Sequence, residues 1–274
     1  MIKHTNRADS LRFLKDNIEM IISRKKSATK HADSVLYLAK SFCDRPEKAE
    51  KAADGAESLL DRDVISVRSI INTTNLLDSY GDVHIPGIWK KSLKDQAGLY
   101  LLEEHNHTFK GVISDDVTAY AKKIEWRELG LDFDGKTEAL VFDSRIEKAR
   151  NEYMFEQYAR GYVKNHSVGM RYEEMHLCID SEEKYYIEEK ENWDKYIDEV
   201  VNRDAAVKKG YFWAVTEAKA VEGSAVLFGA NWATPVQSVK EDANLSLGAF
   251  KEIDEATVRE KESIFEKLGK LKLV

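Results

Sequence analysis

The sequence predicts an α+β protein in which a mainly antiparallel β-sheet, or a small barrel, is flanked by helices. Runs of β-branched residues recur through the middle of the chain, where strands are therefore expected. Apolar residues recur at helical spacing near the N-terminus and again near residue 150. The chain has 274 residues and is 43% hydrophobic, so it is long and apolar enough to bury a substantial core.

The overall composition excludes several classes of protein. The 42 Lys and Arg residues are outnumbered by 49 Asp and Glu residues, which argues against a broad surface for direct nucleic-acid binding. Cys43 and Cys178 are too few for a disulfide framework, so we expect two reduced, packed thiols. The chain lacks an apolar run of about 18 residues, and its first residues lack the apolar core of a signal peptide. These features predict a soluble intracellular protein without a membrane partner.

Both ends of the chain differ in composition from its middle. Residues 1–60 are predicted as a helical extension, because apolar residues recur at helical spacing in Leu11–Ile21 and Val35–Phe42. This extension is net basic, and it is either a solvated helical pair or a docking arm for an acidic partner. Residues 237–274 are predicted as a charged, partly helical tail with a helix at Glu252–Leu268. We hypothesise that both ends are docking or removable segments.

The central region, residues 61–236, is expected to form the main domain. A helix is predicted for Arg145–Arg160, and Gly161 fits the left-handed position after it. An acidic insertion, residues 181–204, is predicted to be exposed and partly helical, although its aromatic residues indicate that one face packs on the protein. The strands are expected at Val64–Ile71, Gly98–Glu104, Thr118–Trp126, Ala139–Ile146, Gly161–Tyr172 and Phe212–Phe228.

Two histidines follow an apolar strand in this region. His105 and His107 come directly after Leu99–Glu104, and polar groups at a strand end are where catalytic side chains are often held. A His-x-His pair on a strand also places both rings on one face, so His84 and a glutamate could complete a metal site. The alternative for each histidine, taken alone, is a surface residue or a residue whose hydrogen bonds are satisfied within the protein.

A serine and a histidine are adjacent in the next motif. Ser167 could act as a nucleophile if a base activates it, and His166 precedes it directly. Successive side chains of a strand point to opposite faces, so the base is expected from the Leu101–His107 region instead. The motif is not the nucleophile elbow of α/β-hydrolases, because Asn165 stands where that motif has glycine. A structural serine within a strand is the alternative.

A glutamate interrupts the last apolar strand. Glu222 lies among small and apolar residues, and a buried carboxylate is costly unless a donor satisfies it. A histidine is a suitable donor, and a carboxylate that orients an imidazole is the third member of a catalytic triad. The alternative is an edge-strand glutamate that faces water.

In this order, the motifs resemble those of the tailed-phage prohead maturation proteases, whose fold is similar to that of the herpesvirus assemblins. The resemblance covers roughly Asp63 to Pro235 as short motifs, and Gly229 departs from the family pattern, in which proline is common. The motifs that carry the resemblance are Asp78–Gly87, the pair His105-Asn106 with Gly111, Gly161 followed by Ser167–Met170, and Glu222–Val226 followed by Ala230-Asn231.

The resemblance implies a serine endopeptidase that uses a Ser-His-Glu triad without metal or cofactor. Ser167 would be the nucleophile, His105 the general base and Glu222 the residue that orients the imidazole. His105 is preferred to His107 because of its spacing to Gly111. Glu217 stays a rival to Glu222, since the acidic insertion lengthens the interval after the serine. Cleavage should weaken below about pH 6 to 7, where histidine is protonated.

The resemblance also implies a place of action and partners. The substrates would be the scaffolding protein, the major capsid protein and the protease itself, inside an assembling procapsid in the cytoplasm of the bacterial host. Self-association within the procapsid would be expected. The alternative function is a catalytically inactive assembly component of the same fold.

Overall fold

The computed structural model describes residues 6–27, 59–95 and 98–242, and those up to Glu241 form an α+β unit. The strands are β1 (Val64–Thr73), β2 (Asp82–His84), β3 (Leu101–Glu103), β4 (Val112–Ser114), β5 (Asp116–Glu125), β6 (Lys136–Glu147), β7 (Asn165–Ile179), β8 (Tyr211–Val226) and β9 (Val236–Glu241). The helices are α1 (Arg7–Asp16), α2 (Ile18–Ser27), α3 (Glu152–Ala159), α4 (Ile187–Tyr196) and α5 (Arg203–Lys209). None of these helices has the length and apolar character needed to cross a membrane.

The strands form two sheets. The first sheet has the order β5-β6-β1-β9, and all its neighbours are antiparallel. In the second sheet the long strand β8 pairs with β7 in antiparallel fashion along one edge. Strands β2 and β3 pair in parallel with successive parts of β8, and β4 pairs with β3. The prediction of a mainly antiparallel α+β fold is therefore confirmed.

The main core lies between the two sheets. Ile71 of β1 and Phe142 of β6 belong to the same buried cluster as Val168 of β7 and Trp213 of β8. Gly223 of β8 lets the sheets approach closely, since a Cβ atom there would lie 2.6 Å from Cε2 of Phe142. Over the described residues the strands stay in two open sheets, so the alternative of a small closed barrel is wrong for this part of the chain.

The predicted helix after β6 begins later than expected. The sequence pattern placed it at Arg145–Arg160, but β6 continues to Glu147 because its last residues pair with the start of β1. Helix α3 is instead capped by Asn151, whose Oδ1 accepts from the backbone of Met154 at 3.1 Å. Gly161 has φ of +66° directly after the helix end, as predicted.

The N-terminal helices pack on the same unit. Leu11 of α1 is buried in the main core, so this part of the extension is not merely solvated. Two of its basic residues pair with carboxylates of the unit: Lys15 contacts Glu189 and Lys25 contacts Asp82. The predicted helices at Val35–Phe42 and Glu252–Leu268, together with Cys43, lie outside the described residues. At the other end, the first residues of the predicted tail belong to strand β9.

The acidic insertion is more buried than its charge predicts. Trp193 of α4 packs against Phe212 of β8 in a second core cluster, and Glu189 on the same helix is 1% exposed. Tyr185 stays exposed, so only part of the aromatic set contributes to packing. Cys178, a member of this cluster, is a buried free thiol whose pKa is raised by burial.

Candidate active site

Strand β8 carries two polar side chains on the face opposite the main core. Gly223 faces the first sheet, and because side chains alternate along a strand, Glu222 and Ser224 point to the other face. Both are buried, with exposures of 1% and 0%. A buried glutamate and a buried serine two residues apart therefore require partners on this face.

Glu222 is satisfied from two sides. Its Oε1 atom lies 2.6 Å from Nδ1 of His105, and its Oε2 atom accepts from Oγ of Ser224 at 2.6 Å. An ionised carboxylate accepts hydrogen bonds through both oxygens, so both contacts fit a charged Glu222 that is held in place. These contacts place Glu222 beside a histidine, as predicted, rather than at an edge that faces water.

Gly169 makes room for this carboxylate. It pairs with Glu222 across β7 and β8, and a Cβ atom on Gly169 would lie 2.0 Å from Oε1 and 2.7 Å from Cδ of Glu222. Residues opposite each other on antiparallel strands share a face of the sheet. The side chain of Glu222 thus lies over β7 at a position where only glycine fits.

His105 reaches this face through an unusual backbone conformation. Glu104 and His105 have φ of 47° and 56°, in the left-handed region that costs a non-glycine residue roughly 1–2 kcal/mol. Hydrogen bonds offset this cost, since the backbone N–H of Glu104 donates to Ala225 O at 3.0 Å and that of His105 to Ser224 Oγ at 3.2 Å. Strain that neighbouring groups maintain in this way is typical of functional sites.

The loop after His105 depends on a second glycine. A Cβ atom on Gly111 would lie 2.2 Å from the carbonyl oxygen of Asn106, so a larger residue would push the loop outward. Thr108 caps the 3₁₀ turn Phe109–Gly111 through a hydrogen bond of 3.3 Å to the N–H of Gly111. The spacing from His105 to Gly111 in the motif therefore has a structural reason.

Ser167 lies on the same face of the sheet. It stands directly opposite Ser224 in the β7–β8 register, and residues so paired have neighbouring side chains. Ser167 is partly exposed, whereas Ser224 is fully buried. In the described residues, the hydrogen bonds of the site join His105 to Glu222 and Ser224 and do not include Ser167. A contact between Ser167 and His105 stays a prediction.

The arrangement determines which nitrogen of His105 can act as a base. An ionised carboxylate can only accept, so in a neutral His105 that donates to it the proton is on Nδ1 and the lone pair on Nε2. Glu222 would also stabilise the imidazolium that forms when Nε2 takes a proton. The His105–Glu222 pair is therefore equipped for general base catalysis toward a hydroxyl on the same face.

His166 is unsuited to this role, as its place in the strand predicts. It points to the other face, where its Nε2 atom lies 2.9 Å from the hydroxyl of Tyr158. Burial lowers the pKa of His166 to about 4, so the ring stays neutral at physiological pH. A base for the hydroxyl of Ser167 would therefore have to come from another element.

The rival site residues lie elsewhere. Glu217 pairs with Lys91 at 2.8 Å and is partly exposed, and His107 is exposed in the loop after β3. His84 is buried beside Asn72 and Tyr172 rather than beside His105. Among the described residues, no three side chains of the kinds that bind metals come together, so the geometry does not support the metal-site alternative.

Sequence reasoning assigned no role to Ser224 or to Gly169. The signal for Ser224 was present, because two polar residues separated by one position on a strand share a face and can bond. The need for glycine at position 169 depends on the pairing of Gly169 with Glu222, which is a property of the register.

The chain matches no protein-family model, no curated protein and no solved structure.

Proposed function

We propose that this protein is a serine endopeptidase in which Ser167, His105 and Glu222 form the catalytic triad. The observation that carries the proposal is the buried 2.6 Å contact between His105 and Glu222, on the sheet face that also carries Ser167. Burying a charged carboxylate and holding His105 in a left-handed conformation both cost stability. A catalytic role explains why both costs are tolerated at one place.

The proposed reaction follows from the roles of the three groups. Oγ of Ser167 attacks the scissile carbonyl carbon while Nε2 of His105 takes the serine proton. The carbon–nitrogen bond then breaks, and His105 returns the proton to the leaving amine. A water molecule, activated by the same nitrogen, hydrolyses the acyl-enzyme. Ser167 has to come within about 3.2 Å of Nε2 for the first step, and such contacts often tighten only when substrate binds.

For the biological role we propose maturation of a phage procapsid, within an assemblin-like fold. The support is that residues from three of the motifs that resemble the family contribute to one site. Gly111 shapes the loop of His105, Gly169 makes room for Glu222, and Ser224 donates to Glu222. The substrates would be scaffolding protein, major capsid protein and the protease itself, inside the assembling shell in the host cytoplasm.

A fluorophosphonate probe, which modifies activated serines, tests the enzymatic proposal directly. We expect one adduct on the wild-type protein, located at Ser167 by peptide mapping, and none on Ser167→Ala or His105→Gln. Ser181→Ala, which removes a partly exposed serine after β7, is the matched control and should be labelled like the wild type. Equal labelling of Ser167→Ala would overturn the assignment of the nucleophile.

The role in capsid maturation requires a second measurement. Coexpression with coat and scaffolding proteins of the same phage should produce shortened chains, and Ser167→Ala should leave them at full length. Full-length chains with the wild-type protein, together with no labelling of Ser167, would favour the inactive assembly component instead.

A further inference from the structure

Three strongly apolar side chains lie exposed on the chain segments that follow His105 and β8. Within residues 6–27, 59–95 and 98–242, the exposed leucine and phenylalanine residues are Phe109, Leu227 and Phe228. Their exposures are 95%, 73% and 43%. Phe109 follows His105 by four residues, and the other two come directly after β8, the strand of Glu222 and Ser224.

Hydrogen bonds connect the segment after β8 to both sides of the site. The backbone N–H of Leu227 donates to Oε1 of Glu104 at 3.0 Å, and Glu104 directly precedes His105. The carbonyl of Leu227 accepts from Nδ2 of Asn165 at 3.0 Å, and Asn165 lies two residues before Ser167 on the same strand. Leu227 therefore bridges the element that carries the proposed base and the element that carries the proposed nucleophile.

Phe109 lies in the loop that follows His105. It begins the 3₁₀ turn that Thr108 caps and that Gly111 packs against Asn106. A short, hydrogen-bonded loop thus presents an aromatic ring that is almost entirely in water. A single exposed apolar residue is ordinary, but several on loops next to one site are typical of a binding surface.

We propose that Phe109, Leu227 and Phe228 form a subsite for a large apolar side chain of an extended polypeptide substrate, close to the scissile bond. This inference rests on the proposed function and names its substrate class. Covering apolar surface is favourable by about 25 cal/mol per Å², so leucine, phenylalanine or methionine in the substrate would bind here more tightly than polar residues. The three residues determine specificity and take no part in the bond-breaking steps.

A defined library of unstructured peptides tests the subsite, with the cleavage products identified by mass spectrometry. In this library every residue type occurs at each position on both sides of the possible cleavage sites. We expect the wild-type protein to cleave with enrichment of large apolar residues at one position near the cut. In Leu227→Ser with Phe228→Ser, and in Phe109→Ser, kcat/KM for a selected apolar peptide should fall about 10-fold or more. For the same peptide with serine at the enriched position, kcat/KM should change less than about twofold. Ile187→Ser, which alters an exposed apolar residue of α4, is the matched control and should retain the wild-type preference.

The outcomes separate the subsite from the function. Cleavage that depends on Ser167 but shows no apolar enrichment, or enrichment that persists in the variants, would overturn the subsite and leave the endopeptidase proposal standing. The absence of any Ser167-dependent cleavage and labelling would overturn the proposed function and, with it, the subsite.

Discussion

Gly169 and Glu222 face each other across β7 and β8 so closely that a methyl group on Gly169 would lie 2.0 Å from the carboxylate oxygen that contacts His105. The absence of a side chain at one position thus determines where the charge of another can lie. Since Glu222 also accepts from Ser224, moving the carboxylate would disturb both of its contacts at once.

The first prediction concerns Gly169→Ala. The new methyl group should displace the carboxylate of Glu222 and break its contact with His105, and a displacement of about 1 Å can cost about 100-fold in rate. We expect the rate of fluorophosphonate labelling at Ser167 to fall by that order. Gly135→Ala is the control, because an added Cβ meets nothing within 4 Å there, and only its φ of +83° makes the substitution unfavourable. Unchanged labelling of Gly169→Ala would contradict the assigned role of Glu222.

The second prediction separates the two opposed serines. Ser224→Ala removes the donor to a buried carboxylate, so the free energy of unfolding should fall by about 1–3 kcal/mol. Ser167→Ala changes a partly exposed side chain, so it should alter the free energy of unfolding by less than about 0.5 kcal/mol. Urea denaturation at pH 7 measures both values.

If Ser224 positions Glu222 as proposed, Ser224→Ala should also lower kcat for a cleaved peptide about 10-fold while KM stays the same, since the loss acts through His105. A loss of stability with unchanged kcat would restrict Ser224 to a structural role.

The third prediction is a pH dependence of stability from His166. Burial lowers the pKa of the folded-state imidazole to about 4, while the unfolded chain has the ordinary value near 6.5. The unfolded state therefore binds the proton first, so this contribution is complete above about pH 6.5 and is lost as pH falls toward 4. The expected slope is up to about 1.4 kcal/mol per pH unit.

Comparison with His166→Gln isolates this contribution. The wild-type free energy of unfolding, measured in urea at pH 7, 6 and 5, should fall more steeply than that of the variant. His107→Gln, which changes an exposed histidine, should follow the wild-type curve. Parallel curves for wild type and His166→Gln would show that His166 is not held neutral.

The fourth prediction tests how α2 is held on the unit. Lys25 contacts Asp82, whose side chain is fully buried and also accepts from the hydroxyl of Tyr172 at 2.8 Å. Lys25→Met should leave the charge of Asp82 poorly compensated and lower the free energy of unfolding by about 2–4 kcal/mol. We expect a smaller loss than for a fully buried pair, because Lys25 is partly exposed. Lys123→Met on β5 is the exposed control and should change it by less than about 0.5 kcal/mol.

Adding Asp82→Asn to Lys25→Met should recover part of the loss, because the buried charge is then removed. An additive double variant would show that the two side chains do not interact.

Much of the secondary structure could be predicted from local pattern. The β-branched run at Val64–Ile71 and the glycine after α3 both appear where expected. The start of α3 could not, because the residues before Asn151 have both helical spacing and strand propensity, and pairing with β1 decides in favour of the strand. Packing by the aromatic residues of the acidic insertion was expected, but the burial of Glu189 was not predictable, since Glu189 is charged and its cation lies far away in the sequence at Lys15.

The sequence by itself determined the types and order of the reactive groups: an imidazole after one strand, a hydroxyl within a second and a carboxylate within a third. Only the tertiary structure decided that Glu222, rather than Glu217, meets His105. Because an odd number of positions separates Glu217 from Glu222, strict alternation would place the two side chains on opposite faces of the sheet. The pairing of β7 with β8 shifts register between these two residues, so alternation alone does not assign their faces. The face that each side chain takes depends on those irregularities in strand pairing, which are set by contacts between distant parts of the chain.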